Sequence, residues 1–493
     1  MRSEVRQRLV GTCVRLLQGT LGERLGRRAA RLHPALDAHA AYRRFLARET
    51  ERLPDRVPDA GPFVSVLLPM FDAPIAALRA AIESVRLQTW PRFEVCVADG
   101  GPAGSAGARL VRELAAHDPR FRVSAPEANR GIGGNTGAAL ATARGEFVLF
   151  LDQDDVLAPD ALSRLAGEAA RDPTLDVVYS DKDNVTPWGD RYDPYFKPDW
   201  SPELLLSTNF LAHATLVRRE LVLAAGGIAA DLDGAQDWDL FLRLAERTDR
   251  IAHVPVVLYH WRSVASSAAS SLDAKPYVAR AAREALRRAL ERRGWPGRIP
   301  GEAPLRILAS FERAPRISVV TRAEELTDAR GELVLFQEPG FRPDSDDWAA
   351  ALAFWALVPG VGAAGAAVHD QSGAIEHAGL AFTEARTLPL FSGAAPRRWT
   401  PLGLPGFVRN VSALGPGAWM TRRSVLESVG PGTSAFDYSR RARAAGLRCV
   451  VVPQAVLVRT AGTLELVEPF ETRDPYFNPN LDPASPVPRP RED

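Results

Sequence analysis

Residues 147–159, FVLFLDQDDVLAP, set an apolar run directly against three carboxylates, Asp152, Asp154 and Asp155. Hard oxygen ligands one residue apart at the end of a buried strand suit Mg²⁺ or Mn²⁺ holding a diphosphate. Asp155 could instead cap a helix beginning near Pro159 and Asp160. A second cluster lies in DGAQDWDLFLRLAE, residues 233–246, where Asp237 and Asp239 open a helix whose apolar face is Leu240, Phe241 and Leu244. Carboxylates there are favoured by the helix N-terminus, so simple capping competes with a general base at Asp237 directed into a crevice. A third cluster, VLYHWR at 257–262, places His260 at the end of a strand-like run. A neutral imidazole there could complete a metal's ligand set, or be an ordinary structural histidine.

A scaffold must bring these clusters together. From residue 63 onward FVSVLLPMF, FEVCVADGG, FRVSAP and EFVLFLD read as strands, separated by helical patterns such as APIAALRAAIESVRLQ and GARLVRELAAHD. Strand–helix alternation at this spacing predicts an α/β fold with a mostly parallel sheet flanked by helices. Ligands of such sheets sit beyond the carboxyl ends of the strands, so Asp99 and Asp152 should face one crevice. No G-x-G-x-x-G opens the first helix, which argues against a dinucleotide fold. The first domain is expected over 61–296, after a basic helical extension at 1–60. It closes with YVARAAREALRRALERRG, and the Pro- and Gly-rich WPGRIPGEAP follows as a linker. A second domain is expected over 297–470. The Pro-rich end, 471–493, should wrap the surface or lack order.

Bulk composition narrows the function classes. Lysine and arginine number 61 against 60 aspartates and glutamates, so no overall field points to nucleic acid. Residues 1–34 are locally basic, with eight arginines against Glu4 and Glu23. That segment could lie peripherally on an anionic membrane or be a solvated helix. Three scattered cysteines, Cys13, Cys96 and Cys449, exclude a disulfide framework and a cysteine zinc site, and fit a reducing compartment. With no signal-peptide pattern at the N-terminus, the expectation is a cytoplasmic protein, placed against the inner face of the membrane if the basic segment binds there. Uncharged WAAALAFWALVPGVGAAGAAV, 348–368, is divided by Pro359-Gly360 and reads as helix, turn and buried strand in preference to a membrane span.

Taken in order, SVLLPMF, FEVCVADGG, GEFVLFLDQDD, VVYSDKDN, FKPDWSPELLLSTNF, AQDWDLFLRL and LYHWR resemble the family-2 glycosyltransferases of GT-A fold. The resemblance covers residues 63–262. YSDKDN and FKPDWSPELL in particular are similar to bacterial members that build surface polysaccharides, such as rhamnosyl and galactofuranosyl transferases. The resemblance implies a nucleoside-diphosphate sugar donor bound by Pro69, Phe71, Asp99 and Asp152. It implies Mn²⁺ or Mg²⁺ on Asp152, Asp154 and His260, and Asp237 as catalytic base. Trp238, Asp239 and Trp261 would line the sugar or acceptor pocket. The implied acceptor is a glycan, free or lipid-linked, and a homo-oligomer is compatible with it. Members of the family commonly follow the first acid with another, whereas Asp99 is followed by Gly100-Gly101-Pro102. That departure bears on how the nucleobase is held. A single base opposite the leaving group implies inversion at the anomeric carbon.

RGEFVLF at 144–150 returns as RGELVLF at 330–336, and VRREL at 217–221 is echoed by TRRSV at 421–425. The C-terminal region therefore reads as a truncated second copy of the same half-fold. Aligned on these echoes, Asp152, Asp154 and Asp155 fall on Glu338, Gly340 and Phe341. Asp237 falls on Ala435 and His260 on Val458. The expectation is a catalytically silent copy serving packing, acceptor binding or dimerisation. Two other functions compete. A nucleotidyltransferase would need a basic glycine-rich loop after the first strand, which PMFDAPIAAL lacks. A non-catalytic carbohydrate-binding scaffold would not need the complete acid set of the first copy.

Overall fold

The computed structural model describes residues 34–49, 60–262 apart from 127 and 187, 276–301, 305–322, 325, 328–462 apart from 385, and 468–491. The basic segment 1–33 lies outside the described residues.

The first sheet contains β1 (Val64–Met70), β2 (Phe93–Asp99), β3 (Phe121–Ser124), β4 (Phe147–Phe150), β5 (Val156–Leu157), β6 (Val177–Val185), β7 (Arg191–Tyr195), β8 (Thr215–Arg218) and β9 (Ile251–Arg262). Its order is β3-β2-β1-β4-β8-β6-β9-β5, with β7 beside β6. The helices around it are α1 (Pro34–Glu49), α2 (Ile75–Arg86), α3 (Ala106–His117), α4 (Gly131–Thr142), α5 (Ala161–Arg171), α6 (Pro202–Leu205), α7 (Arg219–Ala224), α8 (Gln236–Leu244) and α9 (Pro276–Arg293).

β1 and β2 are buried along their whole length, as strands covered by helices on both faces must be. α2 buries Ala77, Leu78, Ala81, Ile82 and Val85, a stripe at helical spacing. α3 starts where Ser105 Oγ accepts from the Ala108 amide at 3.0 Å. The parallel arrangement predicted from the alternation holds over β3-β2-β1-β4. Beyond β4 the sheet is mixed, because β8 runs antiparallel to both β4 and β6 while β6 and β9 are parallel.

The second α/β region repeats this wiring. Its main sheet runs Ile317–Val320, Leu333–Gln337, Ala418–Arg422, Val361–His369, Arg448–Arg459, Phe341–Pro343. That order and its relative directions are those of β1-β4-β8-β6-β9-β5. On this path nothing among the described residues corresponds to β2 or β3. Val458 pairs with Arg342 as His260 pairs with Val156. Uncharged 348–368 is the helix Trp348–Leu357, a turn at Gly360 with φ +79°, and the buried strand Val361–His369. Among the described residues no helix is long and apolar enough to cross a membrane.

The two regions share a core in which Leu286 and Leu290 of α9 join Leu352 and Phe354 of the second region. A buried polar joint reinforces it: Glu203 accepts from Asn410 Nδ2 at 2.6 Å and pairs with Arg448 at 2.7 Å. The Pro-rich end is also tied down. Asn478 Nδ2 donates to both oxygens of Asp181 at 3.1 and 2.9 Å and to the Lys197 carbonyl at 2.8 Å. Asn480 Nδ2 adds bonds to Asp181 and the Pro255 carbonyl.

Candidate active site

β4 delivers the first acids. Its apolar residues lock it between β1 and β8, so the chain leaving its end carries Asp152 to the carboxyl edge of the sheet. Continuing the β4–β8 register by three residues from the Leu149–Leu216 pair puts Asp152 beside His213. The side chains do meet there: His213 Nε2 lies 3.8 Å from Asp152 Oδ2. The same nitrogen is 4.0 Å from Asp237 Oδ2. Two carboxylates from distant parts of the sequence thus converge across one imidazole.

Each member is set by its surroundings. The desolvating crevice walls, then Asp154 and Asp237, push Asp152 up to about 7. Burial also raises Asp237. Its Oδ1 accepts from the Trp238 amide at 2.9 Å and its Oδ2 from Asn209 Nδ2 at 2.8 Å, so both oxygens are held in place. Burial lowers His213 to about 3, which keeps the imidazole neutral. Its ring stacks on Tyr259 at 4.8 Å. Lys182 of β6 faces the same space, with its ammonium 4.2 Å from the centre of the Trp261 ring. Burial lowers Lys182 to about 8 against the opposing pull of Asp155, Asp237, Asp152 and Asp183.

Asp155 does not cap the following helix. Its carboxylate accepts from Tyr259 Oη at 2.6 Å and from the Arg262 amide at 2.7 Å, fastening the end of β9 beneath the crevice. Gln153, between the two acids, grips the Phe71 backbone: its Oε1 accepts from the amide at 2.8 Å and its Nε2 donates to the carbonyl at 3.2 Å. Phe71 is therefore presented at the rim with 48% of its surface exposed. Pro69 lies in the β1–β2 register opposite Ala98, next to Met70 opposite Asp99. Asp99 is buried and folds back on the Gly101 amide at 3.0 Å.

The Gly100 departure has a packing reason. A Cβ at Gly100 would sit 2.4 Å from Asn135 Nδ2. Asn135 is buried and donates from that atom to Asn129 Oδ1 at 3.0 Å, so it has little room to withdraw. Gly100→Asp, the acid common in the family resemblance, is expected to cost about 1–3 kcal/mol in denaturant unfolding. Wild-type stability in that variant would show that Asn135 yields freely.

Three expectations are corrected by the geometry. Successive side chains of a strand point to opposite faces, and Tyr259 and Trp261 take the crevice face of β9. His260 consequently turns to the other face, where its Nδ1 meets Asp183 Oδ1 at 2.6 Å. Asp183 in turn accepts from Tyr42 of α1 at 2.6 Å and pairs with Arg191. The structure therefore does not bring His260 to Asp152 and Asp154, and no three His, Cys, Asp or Glu among the described residues form a ready ligand set. Trp238 is a core residue, donating Nε1–H to the Leu205 carbonyl at 2.8 Å. Asp239 is buried in an ion pair with Arg243 at 2.8 Å. The second region repeats that pair as Asp437–Arg441 at 3.0 Å, without a counterpart of Asp237.

The donor set still fits a divalent cation held jointly with a ligand. Asp152 and Asp154 offer hard oxygens, and beside them His213 Nδ1 and Asn209 Oδ1 are buried without a hydrogen-bond partner among the described residues.

Residues 65–223 match the family model described as Glycosyl transferase family 2. Among similar proteins, the O-antigen biosynthesis protein RfbC of Myxococcus xanthus is 27% identical, covering 85% of this chain and 40% of its own length. The uncharacterized protein y4gI of Sinorhizobium fredii is 29% identical, covering 80% of this chain and 53% of its own. The chain thus spans about half or less of the length of these relatives. Among solved structures, the mannosyltransferase PcManGT of Pyrobaculum calidifontis, in complex with GDP-Man and Mn²⁺, is 21% identical with a TM-score of 0.37, covering 56% of this chain and 76% of its own.

Proposed function

We propose that the protein, whose residues 65–223 match the family model described as Glycosyl transferase family 2, is an inverting glycosyltransferase. It moves a sugar from a nucleoside diphosphate to a glycan hydroxyl, free or lipid-linked, in surface-polysaccharide synthesis. The observation that supports this reading most is the meeting of Asp152 and Asp237 at one nitrogen, Nε2, of His213. One carboxylate belongs to the donor end of the crevice and the other to the acceptor side.

In this mechanism Phe71 and Asp99 border the nucleoside. Asp152 and Asp154 would hold a divalent cation, which when bound offsets negative charge gathering on the departing diphosphate. Asp237 takes the proton from the attacking hydroxyl. Its raised proton affinity suits a base working near neutral pH, and the bonds from Asn209 and Trp238 fix its plane. Neutral His213 adds no charge that would compete for the carboxylates, and stacking on Tyr259 holds its ring in place. The second region, lacking the acids, serves as a packing partner that binds no donor.

The test is calorimetric titration of UDP, GDP and dTDP with and without Mn²⁺, on wild type and Asp154→Ala. One nucleotide should bind in a metal-dependent way, and the substitution should weaken it at least about 10-fold. Folded wild type that binds none of the three would shift the reading to a non-catalytic carbohydrate-binding scaffold.

A further inference from the structure

Lys182 sits inside the carboxylate cluster, yet its ammonium makes no hydrogen bond or close ion pair among the described residues. Its electrostatic neighbours are Asp155, Asp237, Asp152 and Asp183. Among the described residues its ammonium lies over the Trp261 ring, 4.2 Å from the centroid. Three of these four acids hydrogen-bond elsewhere: Asp155 to Tyr259 and the Arg262 amide, Asp237 to Asn209 and Trp238, Asp183 to His260, Tyr42 and Arg191. A partly desolvated cation without hydrogen-bond acceptors is costly unless something completes its shell. Trp261 supplies only its face, which steers the ammonium without accepting a hydrogen bond. Among the described residues, what remains open to Lys182 is the crevice itself.

We propose that Lys182 is a substrate-contacting residue that donates to a phosphoryl oxygen of the nucleoside diphosphate and carries part of the charge of the leaving group. The proposal rests on the glycosyltransferase reading above. A lysine is a compact point charge with three donors, suited to a phosphate whose orientation is fixed by other groups. It also makes an opposite prediction for cations. An ammonium among Asp152, Asp155 and Asp237 repels a metal ion, so its removal should favour metal binding while harming nucleotide binding. A lysine that merely supported the fold would not produce these opposed effects. In the second region the matching position is Val368, paired there with Leu457, as expected of a copy that holds no diphosphate.

The experiment uses the full chain and its Lys182→Met and Lys182→Arg variants, with unchanged thermal unfolding as the check on folding. The probes are Mn²⁺ alone, whichever of UDP, GDP or dTDP binds wild type best, and the nucleoside of that base. Lys182→Met should weaken the nucleoside diphosphate about 10- to 100-fold, the size of a charge-assisted hydrogen bond. Nucleoside affinity should not change, and Mn²⁺ alone should bind as well or tighter. Lys182→Arg should restore most of the diphosphate affinity. Unchanged diphosphate binding in Lys182→Met overturns the proposal, as does an equal loss for the nucleoside. A loss seen with UDP-glucuronate but with neither UDP-glucose nor UDP would assign the ammonium to a sugar carboxylate, and so also overturn it. If wild type binds no nucleotide, both the proposal and the glycosyltransferase reading fall; intact binding in Lys182→Met removes the proposal alone.

Discussion

Asp237→Asn is expected to lower turnover about 10²- to 10⁴-fold while leaving donor binding nearly intact. The asparagine keeps the size of the side chain and one acceptor oxygen, so the bond from the Trp238 amide or from Asn209 can survive. What it loses is the capacity to take a proton. Turnover would be read as release of the nucleoside diphosphate from its sugar donor in the presence of acceptor, and affinity by calorimetry on the same preparation. The neighbouring Asp239→Asn provides the contrast. Asp239 is paired with Arg243 at 2.8 Å and with Arg292 at 3.8 Å, both away from His213. Its loss should lower stability and spare kcat. If Asp237→Asn turns over at the wild-type rate, the base lies elsewhere. If Asp239→Asn loses turnover without losing stability, the assignment between the two acids must be reversed.

The contrast between these two acids shows what the sequence could and could not reveal. Both open the same helix, and spacing alone makes them equivalent candidates. Only packing separates them: Asp237 meets Asn209 and His213, whereas Asp239 turns toward Arg243 and α9. The strands carrying Asp99 and Asp152 were legible because apolar runs ending in acids have one ready explanation in an alternating α/β chain. His213 was missed for a topological reason. Alternation suggests parallel neighbours, but β8 returns antiparallel beside β4, and that return sets His213, two residues before β8, against Asp152 after β4. Lys182 was hidden in the quoted VVYSDKDN because its neighbours attract attention, although period-two alternation separates its face from that of Asp181 and Asp183. The same alternation would have separated His260 from Tyr259 and Trp261. The echo at RGELVLF was informative because a repeated strand keeps its neighbours, and the second sheet does repeat the order from β1 through β5 without β2 and β3. The anchoring of the tail had no sequence signal. Asn478 and Asn480 stand in a Pro-rich stretch, and their partner Asp181 is nearly 300 residues earlier, as expected when a tail packs on an existing surface.

That partner carries the largest expected stability effect. Asp181→Ala should destabilise the protein by about 3–5 kcal/mol, the usual penalty for leaving buried donors and a buried cation without their carboxylate. Asp181 is fully buried and accepts from the Lys197 amide at 2.8 Å, from Asn478 and Asn480, and from His253 Nε2 at 2.9 Å. His253 also meets Asp199 at 3.1 Å and stacks on Tyr179 at 4.8 Å. Burial opposes its protonated form, but Asp181 and Asp199 outweigh that and raise its pKa above 6.5. A raised folded-state pKa means the ion pair's contribution is complete below about pH 6.5 and fades as pH rises through the folded value. The penalty of Asp181→Ala should therefore be larger at pH 6 than at pH 9, with a remainder at pH 9 from the Asn478 and Lys197 bonds. Urea unfolding at both pH values reads the difference, and limited proteolysis should show residues beyond 470 cut faster in the variant. An equal penalty at both pH values would mean that His253 gains nothing from Asp181. An unchanged cleavage rate would mean that the tail is held by its apolar contacts, with Phe477 and Leu481 in the core of the second region, and not by this carboxylate.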